Sequence, residues 1–225
     1  MEPGPGYRAQ GSGGRLIPPS VIFSGRAKHY EHYPLIRGDK APVLSLDIEN
    51  FIAIDSKKEQ DINVKSFIET VQDNSKPIVL IFFPMQSQKR YNLKRFESLH
   101  EATRDIGASL LILTNSTGYN FKNAFLYNHT LKVFDDSKNV IARSFGLYDP
   151  QNPLWNWIPG IEEKETFLPA LYVIAPDRRI VYHYIDYNFS LFDGPDTLYQ
   201  SFAAHILDAV NNTARKHFTI PLAIN

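Results

Sequence analysis

The residues of this sequence best placed for chemistry share one turn: Ser87, Gln88, Lys89, Arg90 and Tyr91, just after the apolar run Ile78 to Pro84. A buried strand that runs into a turn and then a helix aims such side chains at a helix N-terminus. There the Lys89 and Arg90 charges can lower the pKa of the Tyr91 phenol and let it act as acid, base or anion anchor. The ordinary alternative is a tyrosine that fills space above the strand with its hydroxyl in water. The sequence holds no cysteine. That excludes disulfides, cysteine-ligated zinc, iron–sulfur clusters and every thiol mechanism together.

Other chemistry-bearing residues read more plainly. His29 and His32 have a spacing that binds metal on a helix, but no third ligand accompanies them and the segment lacks helix signals. His183 alternates with Tyr182 and Tyr184 along a strand, and His205 falls on an apolar helix face; both read as structural, with His100 ambiguous. Asp135 and Asp136 read as a solvated turn. Lys89, Arg90, Lys94 and Arg95 form a local basic patch, read as a solvated face. Gly11 to Gly14 follows no strand and is no phosphate loop. No metal and no cofactor is expected.

Composition limits the classes of partner. Lys plus Arg and Asp plus Glu number 24 each, so no global field favours nucleic acid or an anionic membrane. The longest apolar run is far too short to span a bilayer. No charged segment precedes an apolar one at the N-terminus, which sets a cytoplasmic location as the expectation. Asn115, Asn128, Asn188 and Asn211 head Asn-x-Ser/Thr triplets, read here as chance.

The elements that would position the turn follow from periodicity. Residues 1–37 are expected as a flexible, Gly- and Pro-rich tail followed by a basic aromatic arm, and 38–225 as one folded domain. Val43 to Leu46 and Phe51 to Ile54 suggest a hairpin. Val64, Phe67, Ile68 and Val71 mark an amphipathic helix. The unbroken apolar run at 78–83 suits a strand covered on both faces. A helix over about 93–106 carries Leu93, Phe96, Leu99, Thr103 and Ile106 on one side and Lys94, Arg95, Glu97 and Glu101 on the other, with Gly107 ending it. Ser109 to Leu113 is a second buried strand, followed by a short helix near Phe121 to Phe125 and a strand at 131–134. Val140 to Phe145 forms a helical turn closed by Gly146. Residues 147–167 form a long loop whose Trp155 and Trp157 lid the cleft, meet another chain or fold back onto the domain's own core. Leu171 to Ala175 and Ile180 to Tyr184 form a hairpin, and a helix spans about 196–213. Alternating strands and helices give an α/β layered domain.

This order of elements resembles the peroxiredoxin-like family, also called alkyl hydroperoxide reductase/thiol-specific antioxidant or redoxin. Gly38-Asp39-Lys40-Ala41-Pro42 resembles its opening motif, and Lys76 to Pro84 its first core strand. Asp136 with Asn139 to Gly146, and Leu168 to Ile174 followed by Asp177 to Tyr182, are similar to later segments. The resemblance covers roughly residues 38–210 and implies a thioredoxin-like, peroxiredoxin-type mixed central sheet flanked by helices. It also places Pro84 at the start of the family's Pro-x-x-x-Thr-x-x-Cys motif. Here the threonine slot holds Gln88 and the cysteine slot Tyr91; a shifted Cys-x-x-Cys alignment gives Ser87 and Arg90 instead. Where the family sets an arginine beside the peroxide this chain has Pro169, which resembles the cis-proline opposite a thioredoxin-type active turn.

A family peroxidase works through a thiolate at a helix N-terminus. An alkanol or phenol is protonated at neutral pH and attacks peroxide oxygen poorly, so thiol peroxidase activity is not expected. The expected site is a cleft lined by Pro84, Ser87, Gln88, Arg90, Tyr91 and Pro169 that binds a small molecule or a protein. The alternatives are non-thiol acid–base chemistry by Tyr91 and Gln88 with Lys89 or Arg90, or a redox enzyme whose cysteines have been substituted, with Ser87 standing in for one of them. The resemblance raises the expectation of a homodimer; neither nucleic acid nor membrane is expected as a partner.

Overall fold

The computed structural model describes residues 33–52, 59–84, 94–115, 131–156, 158, 161, 165–189 and 196–217. Five strands build one sheet: β1 (Ile78–Phe82), β2 (Ser109–Thr114), β3 (Val133–Asp135), β4 (Ala170–Ile174) and β5 (Ile180–Ile185). Their order across the sheet is β3-β2-β1-β4-β5. β1 and β2 are parallel, as are β2 and β3, whereas β4 is antiparallel to both β1 and β5. Among the described residues four helices accompany them: α1 (Glu59–Gln72), α2 (Lys94–Asp105), α3 (Val140–Ser144) and α4 (Asp196–His217).

Every residue of β1 is buried, as its continuous apolar run requires of a central strand packed on both faces. Val79, Ile81, Leu110, Ile112, Leu171 and Val173 join Phe96 and Leu99 of α2 and Ile206 and Val210 of α4 in one core cluster. On the alternate residues of the same strands, the Phe82 ring meets Phe145 at 5.1 Å, Phe167 at 5.9 Å and Tyr172 at 5.9 Å. From α1, Phe67 stacks on Phe134 at 6.5 Å. The expected mixed α/β sheet with helices on both faces is what forms.

Two glycines close helices as the sequence requires. The Gly107 N–H donates to Arg104 O (2.9 Å) and the Ala108 N–H to Thr103 O (2.9 Å), the paired bonds of a Schellman motif with Gly107 at φ +78°. α3 ends likewise, with Gly146 N–H donating to Arg143 O (2.9 Å), Leu147 N–H to Ala142 O (2.9 Å), and Gly146 at φ +70°. A Cβ at Gly146 would collide with the main chain of Tyr33 and Pro34. Leu35 N–H donates to Phe145 O (3.0 Å), so the segment 33–37 lies along this turn.

Four expectations need correction. Residues 43–52 form no hairpin: Ile48–Asn50 is a 3-10 turn and only Phe51 pairs, with Phe134 at the sheet edge. The alternation of buried Leu44 and Leu46 with exposed Val43 and Ser45 is real, but it docks an irregular segment on the domain, where the Gln72 side chain donates to Leu46 O. Arg95 is buried rather than solvated, because residues 95, 99 and 103 share one helix face and Leu99 and Thr103 are in the core. Asp136 is buried, for reasons given below. The bond before Pro169 is trans, like all described peptide bonds; trans is the favoured X–Pro isomer, and it suits a chain running straight into β4. The expected helix near residues 121–125 lies outside the described residues.

Candidate functional site

The strand registers decide which residues meet at the end of the sheet. Phe82 pairs with Ala170 and with Leu113, and Thr114 with Asp135. Carried onward, these registers set Pro169 beside Phe83 and align Asp136, Asn115, Pro84 and Leu168 in one row across the C-terminal end of the parallel strands. The Phe83 N–H still donates to Leu113 O at 2.8 Å, so the ladder continues toward this row. Open α/β sheets present ligand crevices at this end. Of the residues expected in the cleft, Pro84 and Pro169 are brought together here, both buried. Ser87, Gln88, Arg90 and Tyr91 lie outside the described residues, as do His29, His32 and Trp157.

A polar cluster that sequence reasoning missed flanks this row. The Glu165 carboxylate accepts at Oε2 from Tyr148 OH (3.1 Å) and Asn139 Nδ2 (3.2 Å). Its main-chain oxygen accepts from Asn115 Nδ2 (3.1 Å) and Asn139 Nδ2 (3.1 Å). One residue of the long loop is thus bound to the end of β2, to the start of α3 and to the loop's own beginning. Asn139 Oδ1 and Thr166 Oγ1 are buried beside it without a hydrogen-bond partner among the described residues. Burial, and then the charge and acceptor bond of Glu165, push the Tyr148 phenol above its usual pKa, so it remains a donor at neutral pH. The only local signal for this cluster was Asn139, which holds a left-handed conformation (φ 55°) that asparagine tolerates.

Asp136 organises the start of α3. Its carboxylate accepts from Ile141 N–H (3.1 Å) and Ala142 N–H (2.8 Å), satisfying donors that a helix start leaves open. Burial pushes its pKa above the usual carboxylate value, against the lowering effect of backbone bonds from Ala142, Ile141 and Val140. A raised native pKa means protonation favours the folded state, so this contribution grows as pH falls and is complete below the unfolded value. Asp136→Asn does not titrate. The wild type's advantage over this variant is therefore expected to widen between pH 7 and pH 4 in urea unfolding, and a constant or shrinking gap would contradict the assignment.

The remaining candidates take structural places. His183 is half-buried and its Nδ1 accepts from Arg37 N–H at 3.1 Å. His205, expected on the apolar face of its helix, is exposed and stacks on the Tyr182 ring at 6.2 Å. Burial lowers the His100 pKa, helped by Arg104 and Lys132 and opposed by Glu101. Leu154 is buried while its neighbour Trp155 is 45% exposed, so the long loop both packs inward and presents a ring outward. No group of three metal-ligating side chains occurs among the described residues. What the described end of the sheet supplies is fixed hydrogen-bonding groups beside buried apolar side chains.

A profile of the AhpC/TSA family matches residues 37–183. Among solved structures the chain is similar to peroxidoxin BcpB from Mycobacterium tuberculosis, at 17% identity over 78% of this chain and 98% of that one, with a TM-score of 0.48. It is similar also to AhpC from Mycobacterium bovis, at 13% identity over 86% of this chain and 99% of that one, with a TM-score of 0.48. Peroxiredoxin Q from Xanthomonas campestris is similar at 14% identity over 62% of this chain and 80% of that one, with a TM-score of 0.44. No curated protein matches the chain.

Proposed function

Because this chain belongs to the AhpC/TSA family and contains no cysteine, we propose that it is a non-peroxidatic member that binds a small molecule or a protein segment. Its fold is the thioredoxin-like one of that family, a mixed sheet flanked by helices. The observation that carries the proposal is the missing thiol. Reduction of a hydroperoxide by this family's chemistry needs a thiolate to attack the O–O bond and become a sulfenate, and a cysteine-free chain has no atom for that step. A hydroxyl is not a substitute, since it is protonated at neutral pH and yields no reducible product. Activity by that route is absent rather than reduced.

What stays available is recognition. The proposed cleft is bounded by Pro84 and Pro169, the two described residues of the set, and flanked by Glu165, Asn139, Tyr148 and Thr166. Apolar walls with a few fixed polar groups are the usual make-up of a small-molecule site. Ser87, Gln88, Arg90 and Tyr91 complete the proposed lining. The proposal includes a cytoplasmic location, in keeping with a fold that uses no disulfide. No helix among the described residues is long and apolar enough to cross a membrane.

The test is direct. Purified, metal-stripped protein mixed with hydrogen peroxide or an organic hydroperoxide, with a thiol reductant present, is expected to consume peroxide no faster than buffer. Peroxide loss above that background, proportional to protein and insensitive to chelator, would overturn the reading.

A further inference from the structure

The segment 33–41 is fastened to the domain by main-chain bonds, by the Arg178 guanidinium on Ala41 O and by two titratable side chains. Gly38 N–H donates to Ile180 O (2.8 Å), Ile180 N–H to Asp39 O (2.9 Å) and Ala41 N–H to Arg178 O (2.8 Å); all are main-chain bonds and none depends on pH. The Arg37 N–H instead donates to the imidazole Nδ1 of His183 (3.1 Å), which accepts only while that nitrogen carries no proton. Next to it, the Asp39 carboxylate accepts from Ile36 N–H at 2.9 Å. One ring and one carboxylate thus hold two neighbouring amides.

From this arrangement we infer that His183 and Asp39 form a proton-operated catch on the Ile36 and Arg37 amides. With a neutral ring the catch holds the Arg37 amide. With a protonated ring Nδ1 becomes a donor, releases that amide and turns to the Asp39 carboxylate, which lets go of Ile36. The charged groups acting on the ring come from the segment itself: the Asp39 carboxylate favours protonation and the Arg37 guanidinium opposes it. From β4 the residue paired with His183 is Tyr172, a buried phenol. Burial is the largest influence and holds the His183 pKa below the ordinary histidine value.

The sign follows from that direction. The neutral, fastened form persists through neutral pH, and release begins only as pH falls below about 6.5, the reference value for histidine. Release is confined to the amides of Ile36 and Arg37. Leu35 N–H keeps its bond to Phe145 O, and Gly38, Asp39 and Ala41 keep theirs to Ile180 and Arg178, so only the stretch between residues 35 and 38 loosens and both of its ends stay attached. The amides of Ile36 and Arg37, beside the Gly146 turn, become available to another acceptor in mild acid.

Amide hydrogen exchange on the nitrogen-15-labelled full chain tests this across pH 7.5 to 4.5, each rate divided by its intrinsic rate at that pH. Protection at Arg37 and Ile36 is expected to fall about tenfold, as loss of one hydrogen bond of ordinary net strength gives, with a midpoint below about 6.5. Protection at Gly38 and Ala41 should stay flat. In His183→Asn the amide oxygen takes the place of Nδ1 without titrating, so Arg37 stays protected throughout. Equal protection of Arg37 at both ends of the range, or an equal fall in His183→Asn, would overturn the inference. The nitrogen-15 shifts of the wild-type ring give an independent reading: a neutral ring carrying its proton on Nδ1 at pH 7.5 would overturn it as well.

Discussion

Phe82→Ala is expected to cost about 3–5 kcal/mol of folding stability, the range for removing a buried phenylalanine side chain. Phe82 is fully buried at the centre of the sheet, and three rings face it within 6 Å: Phe145, Phe167 and Tyr172. Those rings come from three different parts of the chain, the end of α3, the long loop and β4. None can move into the gap without leaving its own contacts, since Phe145 also meets Tyr172 at 5.0 Å. Collapse around the cavity is therefore limited, which places the loss toward the upper part of the range. For a chain of this size each kcal/mol lowers the melting temperature by about 2–4 °C. Thermal unfolding followed by far-UV circular dichroism should show a drop of about 10 °C; a drop under about 3 °C would mean that the four rings do not share one packed core.

Gly146→Ala is the second large effect, expected at about 2–5 kcal/mol. Two independent costs act at this position. A side chain at φ +70° adds about 1–2 kcal/mol. The new methyl group would also collide with the main chain of Tyr33 and Pro34, which cannot rotate away as a side chain would, and overpacking of this kind adds about 1–3 kcal/mol. Gly107→Ala is the built-in comparison. Its φ is +78°, but nothing lies within 4 Å of where its Cβ would stand, so it incurs the conformational cost alone. Urea unfolding of the two variants should separate them by about 1–3 kcal/mol. Equal losses would mean that the segment at Tyr33 yields freely.

These features differ in how far the sequence displayed them. β1, α2, the β4–β5 hairpin and both glycine helix ends were legible because each is written in a short window: an apolar run, a 3.6-residue period, a glycine after the last turn. The segment 43–52 misled because its alternation of apolar and polar residues is the same whether the chain joins a sheet or merely lies on one. Arg95 misled because its polarity suggests solvent while its position, one turn before Leu99, puts it at the core face. Asp136 beside Asp135 looked like a solvated pair; only the fold shows that one of the two caps a helix while the other bonds Ser137. Glu165 was beyond reach altogether, since its partners Asn115, Asn139 and Tyr148 lie 50, 26 and 17 residues away. The turn at Ser87 to Tyr91 was assigned from the family resemblance alone, and it lies outside the described residues.

The pairing of β1 with β4 has a consequence for synthesis on the ribosome. Ile78 finds its partner on that side only at Ile174, so the strand's second edge waits while nearly a hundred further residues are made. During that interval β1 can pair with β2 through the nearby α2 connection, yet its other flank remains an open ladder of wholly apolar residues. Such an edge readily captures a foreign strand. A nascent or proteolysed chain ending before β4 should therefore aggregate or engage chaperones even though most of the helices are present, and the late β4–β5 hairpin acts as the step that makes the newborn protein safe.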